Sequence, residues 1–288
     1  MDTGNQRTIG GDVRFSGRAL QTGRDVTAVC RPAEADEGII FTRTDLSGCP
    51  SLRLSEALFS GSRDRRSTVG GARGVQTVEH FLAALWALGI DNIRVEVSGE
   101  ELPSLDGSAR DFFGALEAAD FKEQSAPRRF IRILEEERVE EDGRSVAVFP
   151  GERFSISYLI DYKVASIGRE EFTIELDRDS FKKEIAPART FCLKSEAEAL
   201  LTAGLGQGAT LENTLVLDDD GPIGTALRFS NEPVRHKILD LVGDLYMLGR
   251  PVIGRVVAQK SGHALNAKMV RKIYEKYIGD AYDKRREE

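Results

Sequence analysis

The chain has 288 residues, 41% hydrophobic and 30% charged, enough to bury a large core and to divide into two domains. Its 40 Lys and Arg against 47 Asp and Glu leave a net charge of −7, spread along the chain, which argues against a nucleic-acid surface. The sequence opens without a basic-then-apolar leader, and its longest apolar run, Phe81 to Leu88, is far short of the roughly 20 residues that span a bilayer, so a soluble cytoplasmic protein is expected.

In chain order, short alternating segments such as VTAVCRP from Val26 read as strands. Cys30, Cys49 and Cys192 lie too far apart for a cysteine metal knuckle or a disulfide framework. The segment VEHFLAALWALGIDNIRVEV from Val78 reads Val-x-His, an apolar helix ending Leu-Gly, then a β-branched strand. LDGSARDFFGALEAADF from Leu105 adds a Gly-bearing turn and a second helix. The polar stretch KEQSAPRR, Lys122 to Arg129, is the natural boundary, predicting domains at 1–126 and 127–288. Beyond it FSISYLIDY, from Phe154, reads as a strand. VRHKILDLVGDLYMLGRPVIGRVVA from Val234 then repeats the Val-x-His, helix, Leu-Gly, strand order with a helix about one turn longer. SGHALNAKMVRKIYEKYI from Ser261 supplies the matching final helix. The repeat predicts two related α+β domains, each a sheet covered by two helices.

The chain has three histidines, and each sits at a point of chemical interest. With about 100° per residue, Asp240 falls about 40° and Asp244 about 80° from His236 on one narrow polar stripe. That spacing suits either an i,i+4 hydrogen-bonded pair or two ligands reaching one metal from successive turns. Glu79 and His80 are the ionisable residues between Thr77 and Leu88, in a helix apolar all round and so expected to be buried. Such a pair is costly unless it is satisfied internally or bound to a metal. His263 stands at a loop-to-helix junction in KSGHALN. Two His and one Asp for a metal, with a Glu and a His left for acid–base work, follow the open three-ligand pattern of catalytic zinc.

TVEHFLAALWALGIDN, LPSLDGSA, ARTF, VRHKILDLVGDLYMLG and KSGHALN, in that order, resemble the signatures of the UDP-3-O-acyl-N-acetylglucosamine deacetylases, zinc enzymes of lipid A synthesis. The resemblance implies two mainly antiparallel α+β domains facing each other across the active site. It implies one catalytic zinc ion held by His80, His236 and Asp240. Glu79 is implied as general base, His263 as general acid and Asp244 as the carboxylate that orients it. Thr190 would help hold the oxyanion, and Phe191 would line the sugar site. Lys237 and Lys260 match cationic positions near the nucleotide diphosphate, and Asp161 with Tyr162 an Asp-aromatic pair at the uracil. Residues 191–217 match an insert forming a passage for the acyl chain, where Leu200, Leu201 and Leu205 supply apolar surface.

Two departures from the family pattern stand out. SGRALQTG carries Ala19 and Gln21 where the family usually has Gly and His, and GQGATLEN (Gly206 to Asn213) replaces a Gly-Gly-Ser loop, reading as a flexible turn. The expected partner is an acylated UDP-sugar, with no nucleic acid, no membrane span and a monomeric chain. Competing readings are a deacetylase of another N-acyl sugar nucleotide, or a metal-retaining binding protein without turnover. The second needs neither Glu79 nor His263, and the chain keeps both.

Overall fold

The structure, a computed structural model, describes residues 4–54, 67–70 and 73–279. Its first five-stranded sheet contains β1 (Val13–Arg18), β2 (Asp25–Pro32), β3 (Ile39–Arg43), β4 (Ser51–Arg53) and β5 (Ile93–Val97). Its second contains β6 (Glu137–Glu141), β7 (Arg144–Phe149), β8 (Ser155–Asp161), β9 (Arg169–Glu175) and β10 (Arg255–Gln259). The first runs β1-β2-β5-β3-β4 and the second β6-β7-β10-β8-β9, the same order. In each sheet the strand that comes last in the sequence lies between the two earlier hairpins, parallel to one neighbour and antiparallel to the other. The repeat read from Val78 and Val234 therefore extends to the strand order of whole sheets.

Alternation explains the strands. In β8, Ile156, Tyr158 and Ile160 are buried, while the side chains between them are more exposed, as expected of a sheet with one face on the core. The polar segment Lys122–Arg129 is not all loop. Phe121–Pro127 is a strand paired antiparallel with Asn5–Ile9. In this two-stranded ribbon most of the Phe121–Pro127 side chains stay partly or fully exposed, which allows a polar sequence to form a strand.

Among the described residues the helices are α1 (Glu79–Leu88), α2 (Arg110–Ala118), α3 (Lys194–Thr202), α4 (Glu232–Tyr246) and α5 (His263–Tyr274), with short helical stretches at Arg178–Ile185 and Glu275–Gly279. All ten residues of α1 are buried, as its apolar sequence predicts. It stops at Gly89, whose φ of 69° is left-handed, and the Ile90 amide returns to the Leu85 carbonyl, a glycine-terminated helix end. α1 packs on α2 and on α4, and α4 packs in turn on α5 and β8, so one hydrophobic cluster runs through both halves.

The crossing of α1 and α4 is unusually close. A Cβ on Gly243 would lie 2.0 Å from the Glu79 carbonyl oxygen, too near for any other residue without backbone movement. Gly243→Ala is expected to cost about 3 kcal/mol by overpacking. Urea unfolding checks this as a lower midpoint at unchanged slope, and an unchanged midpoint would mean that the crossing adjusts freely.

Candidate metal centre and active site

The close crossing sets the first turn of α1 against the middle of α4. His236 and Asp240, one turn apart, place Nε2 and Oδ1 3.3 Å from each other. His80 Nε2 comes to 3.6 Å from the same oxygen. One ligand atom from each of the three lies within 4.8 Å of the other two, and all three residues are buried. His236 Nδ1 faces the Ala188 carbonyl oxygen at 3.1 Å. Donating its proton there leaves the Nε2 lone pair turned toward Asp240, the arrangement usual in metal-ligating histidines. Burial pushes the His236 pKa down to about 3, so the ring is neutral. Burial opposes ionisation of Asp240, but His236, Lys237 and His263 together hold its carboxyl well below the usual range. Lys237 Nζ donates to Asp240 Oδ2 at 2.8 Å. Two imidazoles and one carboxylate converging at these distances fit a divalent ion of the zinc type.

Glu79 and His263 stand beside this group. His263 opens α5, and its Nδ1 lies 2.9 Å from Asp244 Oδ2 and 3.1 Å from Oδ1. Its Nε2 is 3.8 Å from both Glu79 Oε1 and Asp240 Oδ2. Burial lowers the affinity of His263 for a proton, yet Asp244, Asp240 and Glu79 outweigh it and push the pKa up to about 10. Burial moves Glu79 the other way, raising its pKa against the pull of His263 and His80. One group therefore holds a proton readily while its neighbour is a stronger base than an ordinary carboxylate.

These groups line a cavity of about 520 Å³, together with Thr190, Phe191, Tyr162, Lys237 and Lys260. Phe191 sits edge-on to both His236 and Tyr162, with Lys237 Nζ 5.8 Å from its ring centre. Asp161 does not line the cavity. It is exposed and accepts from Lys260 Nζ at 2.6 Å, so it bears on the cavity through that lysine. Asp244 likewise lies behind His263 rather than on the wall. Of the three insert leucines, Leu200 lines the cavity, whereas Leu201 is 52% exposed and Leu205 lies outside the lining. Leu20, Leu193 and Ala209 extend the apolar side.

The two departures from the family pattern meet each other. Gln21 Oε1 accepts the Gly206 amide at 3.0 Å, and its backbone oxygen accepts the Gln207 amide at 3.1 Å. A Cβ on Gly208 would lie 2.1 Å from the Ala19 carbonyl oxygen. The 206–213 turn is thus docked on the 19–23 loop; Gly208 serves that close approach, while Gly206 takes a left-handed φ of 65°.

Three further residues complete the site. Ser67, 5% exposed, gives its amide to Glu79 Oε2 at 3.1 Å and its hydroxyl to Asp244. Asn266 Nδ2 donates to Asp244 Oδ2 at 2.7 Å; its place three residues after His263 on the same helix is a signal the sequence carried. Glu232, fully buried, binds Arg189 through both oxygens at 2.9 and 3.2 Å. That pair fastens the ARTF segment, and with it Thr190, to the start of α4.

With this geometry in place, comparison with known proteins is decisive. The sequence profile of the UDP-3-O-acyl N-acetylglycosamine deacetylase family matches residues 6–275. The chain belongs to that family. Its relatives include proteins named UDP-3-O-acyl-N-acetylglucosamine deacetylase from Acidithiobacillus ferrooxidans and Myxococcus xanthus. The first is 40% identical over 92% of this chain and 88% of its own length. The second is 41% identical over 93% and 86%. A third, from Phenylobacterium zucineum, is 40% identical over 92% of each. The deacetylase family is thus represented here across nearly the whole fold. Among the described residues no helix is long and apolar enough to cross a membrane.

The Arg189–Glu232 pair gives a test of how the site is held. Glu232→Ala strands a buried guanidinium and is expected to lower stability by about 3–5 kcal/mol. Urea unfolding measures it, and a loss well under 1 kcal/mol would show that the pair is dispensable.

Proposed function

We propose that the protein hydrolyses the N-acetyl group of UDP-3-O-acyl-N-acetylglucosamine, releasing acetate, with a zinc ion held by His80, His236 and Asp240. The observation that carries this reading is the convergence of the three ligands at a cavity where a buried carboxylate, Glu79, and a histidine, His263, face each other. When bound, the ion supplies Lewis acidity that polarises the amide carbonyl and makes water easier to deprotonate.

The chain's own residues do the rest. Glu79 takes a proton from the attacking water as its oxygen bonds to the carbonyl carbon. The Thr190 hydroxyl, on the cavity wall, donates to the carbonyl oxygen as negative charge gathers there. His263, with Nδ1 tied to Asp244, gives its Nε2 proton to the departing nitrogen as the C–N bond breaks. The products are acetic acid and the free amine, with one proton taken by Glu79 and one delivered by His263; the acid then gives up its remaining proton to become acetate. Lys237 and Lys260 offer positive charge to the diphosphate, Phe191 a face to the sugar, and Tyr162 with the Lys260-bound Asp161 a place for the uracil. The apolar side at Leu20, Leu193, Leu200 and Ala209 takes the acyl chain. In this reading the protein works in the cytoplasm as a monomer of two domains, 1–126 and 127–288, each carrying one copy of the five-stranded sheet.

Purified protein is expected to carry one divalent ion per chain and to release acetate from the substrate. A chelator should abolish release and zinc should restore it. Metal analysis of His236→Ala is expected to show the ion lost, and undiminished metal would remove His236 from the site. Release of acetate that survives complete metal removal would overturn the metal-dependent reading.

The apolar wall carries its own expectation. Binding energy from a remote chain is used to position the reacting centre, so a substrate with a very short acyl group should show a kcat/KM lower by about tenfold or more. Equal values for long and short chains would rule out the passage.

A further inference from the structure

Ser67 lies outside every motif that drew attention in the sequence, yet it touches both sides of the proton machinery. Its amide holds Glu79 Oε2 at 3.1 Å. Its hydroxyl donates to Asp244 Oδ1 and lies 3.5 Å from His263 Nδ1. It is buried but does not line the cavity, so it acts through its neighbours.

We propose that Ser67 is a positioning residue that fixes the distance between Glu79 and the His263–Asp244 pair; the proposal rests on the acid–base roles assigned above. Glu79 projects from α1 and Asp244 from α4, one helix from each half of the molecule. The rotation of either carboxylate about its own side chain is not set by the helix crossing. Ser67 sets both. The amide occupies Oε2 of Glu79, which leaves Oε1 as the oxygen facing His263 Nε2 at 3.8 Å. The hydroxyl on Oδ1 and Asn266 on Oδ2 grip Asp244 from opposite sides, so both of its oxygens stay within 3.1 Å of His263 Nδ1. A buried carboxylate robbed of one donor turns to recover it elsewhere, and the imidazole it orients follows.

The test uses Ser67→Ala and, as a variant of nearly the same volume with only a weak donor, Ser67→Cys. Acetate release is expected to show kcat about 10- to 100-fold lower with KM nearly unchanged, as displacement of a reacting group requires. Metal content should be that of the unaltered protein. In an Asp244→Ala background, Ser67→Ala should have little further effect, since the two act as one unit. Because the chain has three histidines, nitrogen-15 histidine labelling separates the ring signals of the zinc-loaded protein. The His263 Nδ1 signal is expected to shift in Ser67→Ala while those of His80 and His236 stay in place. Wild-type kcat and an unmoved His263 signal in both variants would overturn the proposal, as would a loss that simply adds to that of Asp244→Ala. An unaltered protein that releases no acetate, yet whose His263 signal moves in Ser67→Ala, would sink the deacetylase reading and leave the Ser67 positioning contact standing.

Discussion

The contact between Gly243 and the backbone of Glu79 governs the site. Helices ordinarily pack with axes 8–10 Å apart, a distance set by the side chains between them. Here one side chain is missing, and the carbonyl of Glu79 sits where its Cβ would be. The close approach brings His80, on one helix, within 3.6 Å of Asp240 on the other. It also places Glu79 beside α5, which packs on the far part of α4. A larger residue at 243 would separate the ligands before it disturbed any of them individually.

Around that crossing the burial of charge is balanced. Asp240, Asp244 and Glu79 are three carboxyl groups in a region almost without solvent. Lys237 and His263 supply the positive charge, and His236 stays neutral. Isolated, each buried carboxylate would cost several kcal/mol, and the hydrogen bonds from Ser67 and Asn266 reduce that cost without adding charge. The arrangement is one in which a dication has a place and the acid–base pair beside it keeps distinct proton affinities.

Much of this was legible in the sequence, for identifiable reasons. The narrow stripe His236, Asp240, Asp244 shows because helical spacing is rigid, and the buried Glu79–His80 pair shows because its surroundings are wholly apolar. The repeat of Val-x-His, helix, Leu-Gly and strand anticipated the shared strand order. Other features were silent. Ser67 meets Asp244 across 177 residues of chain and His263 across 196, and a lone serine carries no periodic signal. Gly243 looks like an indifferent residue inside a helix until its neighbour is known. The polar Phe121–Pro127 segment gives no apolar alternation because its ribbon buries so little, and the bond from Lys260 to Asp161 joins residues 99 positions apart, which no local spacing shows.

The insert leaves the fold and returns to it at the same place. Phe191–Leu193 and Leu215–Asp218 run side by side as parallel strands, and the Leu215 amide bonds the Thr190 carbonyl. On the way back the chain is clamped twice, at Gly208 against Ala19 and at Asn213 against Gly107. What lies between the first strand and the first clamp, α3 and the turn that follows it, is a closed excursion anchored at both ends. Its anchors, not its length or apolar content, hold Thr190 beside Leu215. In the function proposed above, the fold separates the segment assigned to the acyl tail of the substrate from the residues assigned to breaking its bond, and the two meet only at the anchors of the excursion.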